Sequence, residues 1–149
     1  MTKRNITVEK KAHTVKNNLM IDLVGEVLYL SPTYGGSFHD KKICDLEQVA
    51  FLKETMVMMD LGYRGLASES AQIIMPHKRK KNQELNAVQE KWNSWVSKIR
   101  VKVEHVIASI KIFRKVKEKF RGRLFAREDR VMLIACGLHN LKLKVKNAI

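Results

Sequence analysis

Residues 100–111 read RVKVEHVIASIK. The apolar residues Val103, Ile107 and Ile110 continue a 3–4 spacing that begins at Trp92 and runs through Val96 and Ile99. That spacing predicts a long amphipathic helix over about 85–119. With Arg100 at zero on a helical wheel, ~100° per residue puts Glu104 near ~40° and Lys111 near ~20°. The three form one stripe at the edge of the apolar face. Glu104 is thus a single carboxylate flanked by cations along the helix. Its plain role is an ion pair with Arg100. Its other role is a carboxylate kept for chemistry.

Upstream of this helix, strand and helix signals alternate. HTVKNNLMIDLVGEVLYL (13–30) has β-branched and apolar residues on both sides of Asp22-Leu23-Val24-Gly25. This predicts a β-hairpin with strands near 13–21 and 26–31. SPTYGGSFHD is a Pro/Gly-rich loop. HDKKICDLEQVAFLK (39–53) spaces Ile43, Leu46, Val49, Ala50 and Leu52 as a helix, with Ser37 as its cap and Asp40 in its first turn. TMVMMD (55–60) reads as a short buried strand ending at the turn LGYRG, and IIMP as one more strand. HKRKK (77–81) is a basic loop. Gly122 interrupts the long helix, and a last helix near 125–145 carries Val131, Leu133, Ile134, Leu138 and Leu141. Two strands, a helix, a strand and then helices make an α/β layer fold. The hairpin, the 39–53 helix and the 55–60 strand are expected in one sheet layer, with the 85–119 helix packed against it.

The chain has 149 residues and a net charge of +14. Residues 1–75 hold nine basic and nine acidic side chains, whereas residues 76–149 hold twenty and six. All the excess charge lies in the second half, which suits a polyanionic partner, most simply nucleic acid. No apolar run approaches the ~18 residues of a membrane span, and no apolar stretch follows the basic N-terminus as in a secretion signal. Cys44 and Cys136 lie far apart and read as buried thiols of a reducing cytosol, with a disulfide as the alternative. The five histidines lack metal-ligand spacing and read as structural or DNA-facing. Trp92 and Trp95, and Met56, Met58 and Met59, read as core packing.

Arg100, Glu104 and Lys111 spell R-x3-E-x6-K, which resembles the C-terminal signature of DDE transposases from bacterial insertion sequences, the types numbered four and five. The family pattern has a Tyr three residues before the Arg, where this chain has Ser97. HTVKNNLMID, YGGSFHDK, MDLGYRG, IRVKVEHVIASIK and LIACGLHNLKL are similar to segments of this family in the same order. The resemblance covers about residues 10–145. DxGY alone is weakly specific, R-x3-E-x6-K moderately so, and the ordered set strongly so.

The resemblance implies an RNase H-like fold, N-terminally truncated, with long C-terminal helices. It also implies two divalent ions, Mg²⁺ or Mn²⁺, held between carboxylates ~3.5–4 Å apart and used for phosphodiester cleavage and strand transfer. Such ions prefer hard oxygen ligands. Glu104 matches the helix carboxylate and Asp60 the carboxylate after a strand. Asp40 is a lower-ranked metal ligand whose plain role is an acid at a helix start. The plain role of Asp60 is a turn former before Gly62. Arg100 and Lys111 would hold DNA phosphates or balance the site's charge. Lys78, Arg79, Lys80 and Lys81 would contact phosphates as well.

The family's first catalytic Asp lies on a strand upstream of the HTVK strand. MTKRNITVEKKA contains no Asp, and Asp22 falls in the hairpin turn. The expectation is therefore a basic lead-in over 1–12 and a partial catalytic domain over 13–149 that cuts DNA poorly by itself. The alternative is an inactive, basic DNA-binding remnant of a transposase, and a weaker third reading is a ribosome- or RNA-associated protein. The implied partners are duplex DNA at transposon ends and targets, and a second copy or an upstream transposase polypeptide. A cytoplasmic, nucleoid-associated protein with no membrane partner is expected.

Overall fold

Asn17 and Asn18 decide how the first part of the chain folds. In the computed structural model, which describes residues 14–66, 68, 70–79, 81, 84–117 and 125–148, they interrupt the strand expected over 13–21. β1 (Val15–Lys16) and β2 (Leu19–Ile21) lie on either side of them. Asn17 donates to the carbonyl of Ser31 and the hydroxyl of Thr33, both at 3.0 Å. The Asn18 amide donates to the carbonyl of Asp40 at 2.9 Å. These side chains take bonds that a regular ladder would make. β2 pairs antiparallel with β3 (Val27–Leu30), while β1 pairs with β4 (Tyr34–Gly35). The turn between β2 and β3 is fixed by Asp22, whose Oδ1 accepts from the backbone N–H of Val24 at 3.0 Å and of Glu26 at 2.8 Å. Gly25 supplies a φ of +95° there, which other residues adopt only at a cost.

Helix α1 (Asp40–Leu46) is shorter than the helix expected over 39–53. Gln48 enters the left-handed region at φ +48° and ends it, and no Gly or Pro marks the spot. Ser37 is not the cap. His39 holds that position and makes no side-chain cap bond, while Asp40 sits in the first turn. β5 (Thr55–Met58) and β6 (Ala71–Ile74) pair in parallel. β5 is not fully buried: Met59 just beyond it is buried, but Met56 faces solvent, so it is not core packing.

Helix α2 (Ala87–Ile110) starts in a capping box. Asn86 accepts from the Gln89 N–H at 2.8 Å, and the Gln89 side chain accepts from the Asn86 N–H at 3.1 Å. The helix stops at Lys111 rather than near 119, and a short α3 (Arg114–Lys117) follows. The break has a packing reason. Ile110 is buried with Val106, and Val116 packs against the same cluster. On an unbroken helix, Ile110 and Val116 would stand ~120° apart. Gly122 and the rest of the α3–α4 connection lie outside the described residues.

Helix α4 (Ala126–Asn147) completes the main core, where Ala135 and Cys136 join Val106 and Ile110 beneath Leu19, Ile21, Val27 and Leu30 of the hairpin. A row of polar side chains fastens α4 to the hairpin. Asn140 accepts from the Val27 N–H and donates to the Val27 carbonyl, both at 2.9 Å. Asp129 accepts from the Thr33 N–H at 2.6 Å. His139 sits between the hydroxyl of Ser109 at 3.0 Å and the carbonyl of Gly25 at 2.9 Å. Lys144 reaches Glu26 at 3.0 Å.

The N-terminal half of α2 is fastened to the end of β6 instead. Trp92 donates to the Met75 carbonyl at 3.0 Å, and Asn93 exchanges bonds with the His77 backbone at 2.7 and 3.0 Å. Trp92 and Trp95 lean on each other with ring centroids 5.3 Å apart and stay partly exposed, so they are not core residues as expected. Cys44 and Cys136 are buried free thiols.

The α/β composition is as expected, but the single sheet layer is not. Among the described residues the strands form three separate two-stranded ladders, β1–β4, β2–β3 and β5–β6. No helix among them is long and apolar enough to cross a membrane.

Candidate functional site

The turn after β5 meets the start of α1 through Asp40 and the middle of α2 through Arg100. Asp60 follows β5 and caps a single 3₁₀ turn, Leu61–Tyr63. Its Oδ1 accepts from the Leu61 N–H at 2.7 Å, so its plain role as a turn former is real. Its other oxygen, Oδ2, lies 3.5 Å from the Arg100 guanidinium. Arg100 thus bends away from Glu104, and the helix ion pair proposed for Glu104 does not form. Glu104 is exposed one turn further along α2, about 6 Å up the axis. It makes no hydrogen bond or ion pair among the described residues.

Asp40 borders the same 3₁₀ turn. Its Oδ1 pairs with the Lys16 ammonium at 3.0 Å. Its Oδ2 lies so close to Gly62 that a Cβ there would stand 2.5 Å away. Glycine at position 62 is therefore what lets Asp40 approach the turn. Tyr63 registers both acids: burial raises its hydroxyl pKa most, and the charges of Asp40, Cys44 and Asp60 push it the same way. The Cys44 thiol behind α1 is also pushed up, mainly by burial, while the bond from Asn18 opposes the shift.

Sequence reasoning named Asp40, Asp60, Arg100 and Glu104 but missed three residues that shape their surroundings. Lys16 lies in the quoted HTVK stretch, yet only the pairing of β1 with β4 brings it beside α1. Gly62 was read as part of a turn rather than as room for Asp40. Tyr63 carried no separate signal.

Lys111 is the C-cap of α2, about 10 Å along the axis from Glu104. Lys78, Arg79 and Lys81 are exposed in the loop after β6, and Arg79 pairs with Glu84 at 3.0 Å. Lys80 lies outside the described residues.

This arrangement does not by itself make a divalent-metal site. Among the described residues no three His, Cys, Asp or Glu side chains form a cluster that could hold a metal. The donor type is right, since carboxylate oxygen suits Mg²⁺ or Mn²⁺. The number and availability are not. Asp60 is engaged by Leu61 and Arg100, and Asp40 by Lys16.

Comparison with known proteins shows similarity over most of the chain. The family described as DDE superfamily endonuclease matches residues 7–140. A probable transposase for insertion sequence element IS702 from Microchaete diplosiphon is 29% identical over 134 residues, which cover 90% of this chain and 48% of that protein. The chain thus spans about half the length of this relative. No solved structure matches. Members of the family are generally dependent on divalent metal. A match over residues 7–140, most of the chain, places it in the DDE superfamily endonuclease family.

Proposed function

We propose that this chain carries part of the catalytic centre of a DDE-type transposase, acting on duplex DNA at insertion-sequence ends. The observation that carries this reading is the contact between Asp60 and Arg100. It draws the carboxylate after β5 towards the α2 stripe that also holds Glu104. In this reading Asp60 and Glu104 are two carboxylates of a two-ion Mg²⁺ or Mn²⁺ site, and Asp40 is a further candidate ligand. Arg100 and Lys111 hold DNA phosphates. The third carboxylate comes from a segment that the longer relative has beyond this match. The finer fold is RNase H-like, and a strand from that segment would bring the hairpin and the β5–β6 ladder into one sheet.

The chain's own residues have definable tasks. Arg100 keeps Asp60 oriented until a stronger cation competes for it. Gly62 and Lys16 hold Asp40 beside the same turn. The exposed basic side chains of 76–149 bind the DNA backbone without reading its sequence.

The reading is tested in two arms. Purified 1–149 should bind Mn²⁺ weakly and cut DNA poorly, because two carboxylates are too few hard ligands for a metal pair. Supplying the remaining segment of the longer relative, in cis or as a separate polypeptide, should tighten Mn²⁺ binding and restore cleavage. Glu104→Gln should then abolish both. Strong cleavage by 1–149 alone, lost in Glu104→Gln, would show that another acid of this chain completes the site, with Asp22 and Asp40 the first to test.

A second reading, a DNA-binding remnant without chemistry, is favoured by the lack of a three-ligand cluster among the described residues. It requires that adding the missing segment changes neither metal binding nor cleavage.

A further inference from the structure

Two acids border the 3₁₀ turn after β5, and each is held by a cation from another element. The two cations are not held alike. Lys16 pairs with Asp40 at 3.0 Å and also donates to the Phe38 carbonyl at 3.0 Å. Arg100 meets Asp60 through one contact of 3.5 Å, between side chains that are 45% and 53% exposed. That is longer than the ~2.7–2.9 Å of a charge-assisted hydrogen bond. Arg100 makes no other hydrogen bond or ion pair among the described residues. Lys16 is fixed in place, whereas Arg100 is lightly held.

The pairing is also not the one the helix offers first. Glu104 stands four residues beyond Arg100, where an α-helix places a natural partner, and it is left bare. The place of Arg100 on α2 points to a partner outside the chain. At ~100° and ~1.5 Å per residue, Asn93 and Lys111 each fall within ~20° of Arg100, about 10 Å before it and about 16 Å beyond it. Asn93 bonds to both backbone groups of His77 and so seats the loop of Lys78 and Arg79 at one end of this line. Lys111 is exposed at the other end. Arg100 thus lies between two cationic points on one helix face. A phosphate passing along that face offers its guanidinium fork two oxygens at once.

We propose that Arg100 exchanges partners: it rests on Asp60 in the free chain and moves to a DNA phosphate when a duplex binds. The exchange bares Asp60 and Glu104 together only on DNA, so the acids are masked until the substrate arrives. This is a regulation of the site described above and rests on that reading. It makes Asp60 a competitor of DNA for one guanidinium. By linkage, DNA weakens the Asp60–Arg100 contact by the same factor as the contact weakens DNA binding.

Fluorescence anisotropy of a labelled duplex with the full 149-residue chain, in EDTA, tests this as a double-mutant cycle. Asp60→Asn keeps a carbonyl for the Leu61 N–H, so the turn stays, but loses the charge that holds Arg100. It should tighten DNA binding at least twofold more in the wild-type chain than in the Arg100→Gln background. Arg100→Gln alone should flatten the salt slope by about 1 unit, the share of one phosphate. Equal gains from Asp60→Asn in the two backgrounds mean that Asp60 acts on DNA through its charge alone. That result overturns the exchange and leaves the reading above standing. A slope unchanged by Arg100→Gln means that Arg100 stays on Asp60 with DNA bound, and overturns the exchange as well. A wild-type chain that binds no duplex at low salt overturns the exchange and the reading together.

Discussion

At the scale of single residues, the contact between Arg100 and Asp60 joins two half-exposed side chains. Pairs of this kind contribute ~0.2–1 kcal/mol to stability. Arg100→Ala is therefore expected to shift the free energy of urea unfolding by less than ~1 kcal/mol, while DNA affinity falls. A large loss of stability would make Arg100 a structural residue instead. Asn140 is the opposite case. It satisfies both polar groups of Val27 on a partly buried strand. Asn140→Ala should cost about 1–3 kcal/mol, because a donor and an acceptor lose their partner together. Asn140→Asp keeps the acceptor and should cost less. The contrast shows what the sequence can disclose. Asp60 and Glu104 stand out because they are acids in a recognisable order. Asn140 lies in the recognisable segment LIACGLHNLKL, but its partner is a backbone group that no residue type announces.

At the scale of elements, periodicity located α2 and α4 and turn chemistry located the hairpin, because both signals are local. The ends of α1 and α2 were not local. Gln48 takes a conformation that neither Gly nor Pro advertises, and α2 breaks so that Val116 can join the core around Ile110. β5 read as buried throughout because its residues are all apolar or β-branched, yet strand alternation turns Met56 outward. The packing of α1 and α4 also has a consequence for pH. Burial raises the thiols of Cys44 and Cys136 above 9.0 and the Tyr63 hydroxyl above 10.0. The folded chain therefore keeps protons that the unfolded chain releases. The stability they contribute is complete below about pH 9 and is lost as pH rises through the higher folded values. Urea midpoints should be flat to about pH 9 and fall above it. A midpoint that rises on that side would reverse the assignment.

At the scale of the whole molecule, the charge split between the two halves was fully legible, since counting needs no fold. The separation of the strands into three ladders was not, because pairing depends on which strands are present to pair. The charge leads to a measurable expectation. Duplex DNA affinity should fall linearly with the logarithm of salt concentration, and Lys78→Gln with Lys81→Gln should flatten the slope by about 2 units if each side chain neutralises one phosphate. Arg79→Gln should flatten it less, since Glu84 already shares that charge. An unchanged slope in both variants would remove the loop from the DNA footprint.

The fastening of α4 to the hairpin also sets an order of events during synthesis. The bonds from Asn140 to Val27 and from His139 to Gly25 join residues 113 and 114 positions apart. A ribosome delivers the hairpin early and its cover late. An isolated two-stranded hairpin is marginal in water, so Leu19, Ile21, Val27 and Leu30 stay open until residue 140 clears the exit tunnel. The hairpin is made well before α4 yet is completed only when α4 packs on it.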